Sequence, residues 1–184
     1  MEKAFTKIHL GCGSKHLEGW YHVDALPYDH VDHVGAVEDL SFIPDNSAEL
    51  IYACHVLEHF GRHSYKAALA EWFRVLAPSG VLRLAVPDFE ASARVYLSGT
   101  LPRGIEDIRG LMTGGQRDKY DYHCMIFDEA SLTADLKALG FRHVSRWDWR
   151  TTEHAHIDDY SQAYLPHMDK VNGTLVSLNI EAVK

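Results

Sequence analysis

The stretch YACHVLEHFGRH at 52–63 sets His55, Glu58 and His59 in the order His-x-x-Glu-His. On a helix, residues three and four apart share a face. This spacing therefore gathers two imidazoles and a carboxylate on one side, groups that can ligate a metal or move protons at a reaction centre. Two further places are chemically loaded. In HLGCGS, Gly11 and Gly13 leave the backbone and its N–H groups open to the approach of a ligand. Asp24 closes the apolar run WYHVD eleven residues after Gly13, where a carboxylate can accept a pair of hydroxyl groups.

These residues need elements to hold them. KIHLG (7–11), WYHVD (20–24), LIYAC (50–54), VLRLAVPD (81–88), FRHVSRWDW (141–149) and LVSLNIEAV (175–183) read as strands, with VDHVGAV (31–37) a weaker one. SYKAALAEWFRVLAP carries apolar residues at helical spacing and ends at Pro78 and Gly80. Its Trp72 and Phe73 are read as core. Helical pieces are expected around 88–98 and 104–112, and Asp128 and Gly140 are the natural start and stop of another. Strands separated by helices make this an α/β chain with a Rossmann-like open sheet, mostly parallel. The last two strands adjoin without a long helix between them, which adds an antiparallel C-terminal edge. The short span from Gly13 to Asp24 leaves room for a shortened first helix of a turn or two.

The 184 residues fit a single domain over 1–184. A net charge of −8, from 26 acidic and 18 basic residues, argues against a nucleic-acid backbone or an anionic membrane as main partner. There is no run long enough for a secretory leader or a membrane span. Cys12, Cys54 and Cys124 are too scattered for a disulfide framework, so a cytoplasmic setting is expected. The oligomeric state is left open. The segment 151–173 is long for a connection between edge strands and is read as a lid on the substrate side. Its His154, His156, Asp158 and Asp159 are taken as surface or sugar-facing groups, with Tyr160 and Tyr164.

Thirteen histidines keep metal binding in view. A zinc hydrolase of the inverted-metallopeptidase type needs His55 and His59 on one rigid helix and a third ligand elsewhere. Gly61 interrupts that helix two residues past His59, and the candidate third ligands Glu106, Glu129 and Glu153 sit in no motif. No metal ligands are therefore assigned.

The order of the motifs decides between these readings. The glycine turn, the acidic strand end, EDLSFIPDNSAELIYACHVLEHF and EWFRVLAPSGVLRLAVPD together resemble the class I S-adenosylmethionine-dependent methyltransferases of type 11. Within that group the chain is similar to short bacterial members often associated with polysaccharide or cell-envelope biosynthesis. The resemblance covers 9–90 and runs on more loosely through GGQRDKYDYHCMIFDEASLTADLKALGF. It implies S-adenosylmethionine as cofactor, with Gly11, Cys12 and Gly13 against its methionine part and Asp24 on the ribose hydroxyls. Asp39 would meet the adenine amino group, with Glu38 as its rival. Leu40 would give a backbone donor and an apolar wall, and Val56 would pack beside the adenosine. His55 would turn its side chain to the transfer site, while Glu58 and His59 either face the cleft or brace the helix. His55 and His123 are the candidate general bases for a hydroxyl acceptor, although His123 has an equally good reading as a hydrogen-bonded structural imidazole. The segment 110–123 is expected to form a mobile substrate wall, where Arg117 and Lys119 could meet an anionic group. The implied activity is methyl transfer to a small-molecule or carbohydrate acceptor. The alternatives are a non-catalytic binding protein of the same fold and, further off, a zinc hydrolase using His55, Glu58 and His59.

Overall fold

The computed structural model of the protein describes residues 5–184. In chain order the strands are β1 (Lys7–Leu10), β2 (Tyr21–Asp24), β3 (His33–Val34), β4 (Ala48–Cys54), β5 (Leu76–Pro87), β6 (Arg142–Arg146), β7 (Tyr164–Leu165), β8 (Thr174–Leu175) and β9 (Ser177–Val183). Seven of them form one sheet in the order β3-β2-β1-β4-β5-β9-β6, and β7 pairs with β8 apart from it. The pairs β1·β2, β2·β3, β1·β4 and β4·β5 are parallel, whereas β9 is antiparallel to both β5 and β6. The antiparallel edge is thus present, with β9 one place in from the rim. The helices are α1 (Tyr65–Val75), α2 (Phe89–Leu97), α3 (Glu106–Thr113) and α4 (Glu129–Ala138). The start of α4 obeys its sequence: Asp128 and Ser131 form a reciprocal capping box, satisfying N–H groups that a helix start leaves unpaired.

Alternation along the strands divides the sheet into two faces. On one, Ile8, Leu10, Ile51, Ala53, Leu82 and Leu84 pack with Leu69 and Trp72 of α1 and Leu132 and Leu136 of α4. Trp72 is fully buried and its indole N–H donates to Val37 O at 2.8 Å, so it is a core residue as its spacing suggests. The other face has no first helix to cover it. Residues 11–20 form turns, and among the described residues no helix lies between β1 and β4. Leu17, Trp20 and Trp147 instead pack on Leu50, Tyr52 and Ala85 there.

Two histidines complete that aromatic layer. His9 stacks on Tyr52 at 5.2 Å, and His154 lies 4.5 Å from Tyr52, 5.9 Å from Trp20 and 6.2 Å from Trp147 between ring centres. His154 is only 3 % exposed, which corrects its reading as a surface group: the sheet face left bare by the missing helix needs this cover. The segment 151–173 is anchored along the same face. Tyr52 Oη donates to Asp159 Oδ2 at 2.7 Å, and Asn179 Nδ2 donates to Ser161 O at 2.9 Å.

Burial pushes His154 down to about 4, with Arg83 adding to the shift and Asp159 and Glu153 opposing it; burial also holds His9 well below the usual imidazole range. Both rings are neutral when folded, whereas unfolded histidine takes up a proton near pH 6.5. Their contribution is therefore complete above that value and is lost as pH falls towards the folded values. Urea unfolding should show lower stability at pH 5 than at pH 7.5, by up to about 2 kcal/mol from His154. His154→Phe should flatten the dependence. Identical pH profiles for the variant and the native chain would contradict the assignment.

Candidate functional site

The parallel register sets the carboxyl ends of three strands side by side, since Leu10 pairs with both Val23 and Ala53. Gly11, Asp24 and His55 follow from those ends, which is where open α/β sheets bind ligands. Gly11 has φ +59°, and a Cβ built on it would lie 2.4 Å from Val56 Cγ2. Gly13 has φ +51°, and a Cβ there would point into open space.

Both amides are engaged within the protein, contrary to the expectation that they face a ligand. Gly11 N–H donates to Val23 O at 2.8 Å, and Gly13 N–H to Asp24 Oδ2 at 2.7 Å. The second oxygen of Asp24 accepts Leu26 N–H at 2.8 Å. A carboxylate has about four lone-pair sites, so this one keeps capacity for two hydroxyl donors. Cys12 is buried, and burial, reinforced by the nearby Asp24, pushes its thiol up to about 12. It is a packing residue and no nucleophile.

The next loop is clamped from α1. Leu40 is fully buried, its N–H donates to Glu71 Oε1 at 2.9 Å, and Arg74 Nη2 donates to both Leu40 O at 2.9 Å and Glu71 Oε1 at 2.7 Å. The Leu40 amide is therefore not a free donor, which corrects that part of the expectation. Asp39 and Glu38 are exposed, and hydrogen bonds from Ser41 hold the Asp39 carboxyl below the usual range. The Glu71–Arg74 clamp has no local sequence signature, because its partner lies 31 residues away from Glu71.

The chain leaves β4 through His55 in a left-handed conformation, φ +53°, which costs a non-glycine residue about 1–2 kcal/mol. Only a 3-10 turn, Leu57–His59, follows. No helix face aligns His55 with His59, so the inverted-peptidase arrangement is absent. His55 Nε2 is 3.4 Å from Ser177 Oγ, its Nδ1 is 3.2 Å from Glu58 Oε1, and its ring centre is 5.1 Å from that of Tyr160.

His123 arrives from the far side, with Nδ1 donating to Leu111 O at 2.8 Å and Nε2 3.8 Å from Glu58 Oε1. Cys124 N–H and Met125 N–H both donate to Glu58 O, fastening the two segments together. Glu58 is fully buried, and burial pushes its carboxyl up to about 8. Burial, then the neighbouring His123 and His59, brings His55 down to about 3; burial also lowers His123.

The structure thus joins His55, Glu58, His59 and His123, brings up Tyr160 from the segment 151–173, and adds Ser177, which sequence spacing did not reveal. The expected substrate wall is a closed loop, with Arg117 paired to Asp121 at 2.6 Å and His123 N–H donating to Thr113 O. Lys119 stands over Tyr120 at 4.7 Å from its ring centre.

Residues 9–84 match the family of the methyltransferase domain, type 11. Solved structures agree in fold over nearly the whole chain. An S-adenosylmethionine-dependent methyltransferase from Archaeoglobus fulgidus has a TM-score of 0.57 at 15 % identity, covering 98 % of this chain and 88 % of that one. One from Mesorhizobium loti has a TM-score of 0.54 at 14 % identity, covering 100 % and 94 %. The 1,6-didemethyltoxoflavin-N1-methyltransferase of Burkholderia thailandensis, solved with 1,6-didemethyltoxoflavin and S-adenosylhomocysteine, has a TM-score of 0.57 at 14 % identity, covering 97 % and 70 %. No curated protein matches. The fold is thus shared with S-adenosylmethionine-dependent methyltransferases, and the part of the chain from β1 to β5 carries the match to the methyltransferase domain. Among the described residues no helix is long and apolar enough to cross a membrane.

The two glycines provide a comparison. Alanine at either takes a left-handed strain of about 1–2 kcal/mol, but at Gly11 it must also displace Val56. In thermal unfolding, Gly11→Ala should lose clearly more stability than Gly13→Ala. Equal losses would contradict the close approach of Gly11 to Val56.

Proposed function

We propose that the protein methylates a hydroxyl group of a small-molecule or carbohydrate acceptor at the carboxyl ends of β1, β2 and β4. The observation that carries this reading is His55, held in a strained backbone at the end of β4 with its ring against Tyr160. Backbone strain of this kind collects at functional sites. Bound S-adenosylmethionine supplies a methyl group on a sulfonium that leaves as a neutral thioether. The protein's part is alignment and proton removal, and alignment alone is worth up to roughly 7–11 kcal/mol in well-oriented systems.

Asp24 holds the ribose hydroxyls with the lone pairs its backbone bonds leave free. The space beside Gly13 admits the methionine part, against Gly11 and Cys12. Leu40 and Val56 form the adenosine wall, with Asp39 at its exposed end. His55 Nε2, 3.4 Å from Ser177 Oγ, is the ring nitrogen offered to the acceptor's proton. His123 braces the turn that carries His55, since the Cys124 and Met125 amides beside it donate to Glu58 O. The exposed Tyr120, Tyr122 and Tyr160 offer amphipathic rings to an acceptor. The Burkholderia thailandensis relative, with its bound 1,6-didemethyltoxoflavin, supports an acceptor of modest size.

Calorimetric titration with S-adenosylmethionine and S-adenosylhomocysteine tests the cofactor half of this reading. The native chain should bind both, and Asp24→Ala should weaken binding roughly 10- to 100-fold, the worth of one charge-assisted hydrogen bond. Equal affinity in the variant would remove Asp24 from the site. A native chain that binds neither compound would overturn the proposal.

A further inference from the structure

Glu58, His59 and His123 each offer one ligand atom, and the three atoms lie within 4.8 Å of one another. What faces this space is a set of acceptors. Glu58 is 0 % exposed, and neither of its oxygens has a hydrogen-bond partner. His123 places Nδ1 2.8 Å from Leu111 O, so the ring proton sits there and Nε2 presents a lone pair towards Glu58. His59 has Nδ1 3.0 Å from Tyr122 O and Nε2 3.1 Å from His55 O. An imidazole with a single N–H satisfies only one of these carbonyls, which leaves its other nitrogen to ligate. Glu58 and His123 thus face each other with no hydrogen bond between them, and a cation placed there joins both to His59.

We propose that Glu58, His59 and His123 bind one divalent transition-metal ion of the zinc class. Two imidazoles and one carboxylate form the His2Glu set of catalytic zinc sites, which leaves a position for water or a substrate oxygen. Magnesium and calcium are disfavoured because they select oxygen ligands. The Leu111 carbonyl fixes the tautomer and direction of His123, as outer-shell partners of metal-bound histidines do.

Zinc ligands stand 2.0–2.2 Å from the ion, so the three side chains must draw together by part of an ångström on binding. His123 also lines a cleft of about 520 Å³ with Arg62, Met112, Cys124, Met125 and Ile126, which gives the ion and an oxygen ligand a way in. His55 stands outside the ligand set, with its Nδ1 3.2 Å from Glu58 Oε1. The sequence string thus supplies two of the three ligands, and the third comes from 64 residues beyond His59.

The test is a titration of the metal-stripped chain with Co²⁺, followed by its visible d–d absorption and reversed by Zn²⁺. It reads neither methyl transfer nor cofactor binding, so its result is independent of the proposed activity. One Co²⁺ per chain should bind with the intense bands of low coordination. Glu58→Gln, which keeps the side-chain size, and His123→Gln should each weaken binding by more than the roughly 10–100-fold that outer-shell changes cost. His16→Gln and His167→Gln, at exposed positions, should leave it unchanged. A native chain that gives no such bands, or binding undiminished in both Glu58→Gln and His123→Gln, would overturn the proposal.

Discussion

Both oxygens of Asp24 accept backbone N–H groups, from Gly13 on one side and Leu26 on the other. In a sheet whose first two strands are joined by turns alone, this carboxylate ties the glycine loop to the end of β2. A helix start in that place would present N–H groups and a positive dipole end. Here the same loop is ordered by a negative charge, through hydrogen bonds stronger than those between neutral groups. The consequence for the site is specific. The loop is organised before any ligand arrives, and the group that organises it is the one proposed to meet the ribose.

The missing helix has a second consequence on the sheet face behind the site. Leu50, Tyr52 and Ala85 still have to leave water, and Trp20, Trp147 and His154 take that role. The segment carrying His154 also carries Tyr160, whose ring meets His55. Cover for the core and the ring that meets His55 are therefore parts of one segment, held by Tyr52 and Asn179 from the sheet.

Much of this architecture was legible because it is local. Apolar runs of strand length, the helical spacing of α1 and the Asp128 cap each rest on neighbours in sequence, and each appears where expected. What was not legible rests on contacts between distant segments. HVLEHF has the periodicity of a helix start, but Glu58 O is taken by Cys124 and Met125, so an α-helical bond from Arg62 N–H has no free acceptor direction there. The Leu40 amide looked free because Glu71 is remote in sequence. His154 looked like a surface group because nothing local says that a sheet face lies bare above it. His55 and His123 were both picked out by type and position, whereas the carboxyl between them was left between facing the cleft and bracing the helix.

The central claim is that Asp24 both orders the glycine loop and receives the cofactor's ribose. A crystal structure of the complex with S-adenosylhomocysteine tests it most directly. The account predicts the ribose hydroxyls within hydrogen-bonding distance of Asp24, with its bonds from Gly13 and Leu26 kept, and the purine against Leu40 and Val56. A nucleoside bound elsewhere, or an Asp24 carboxylate turned away from the ribose, would contradict it.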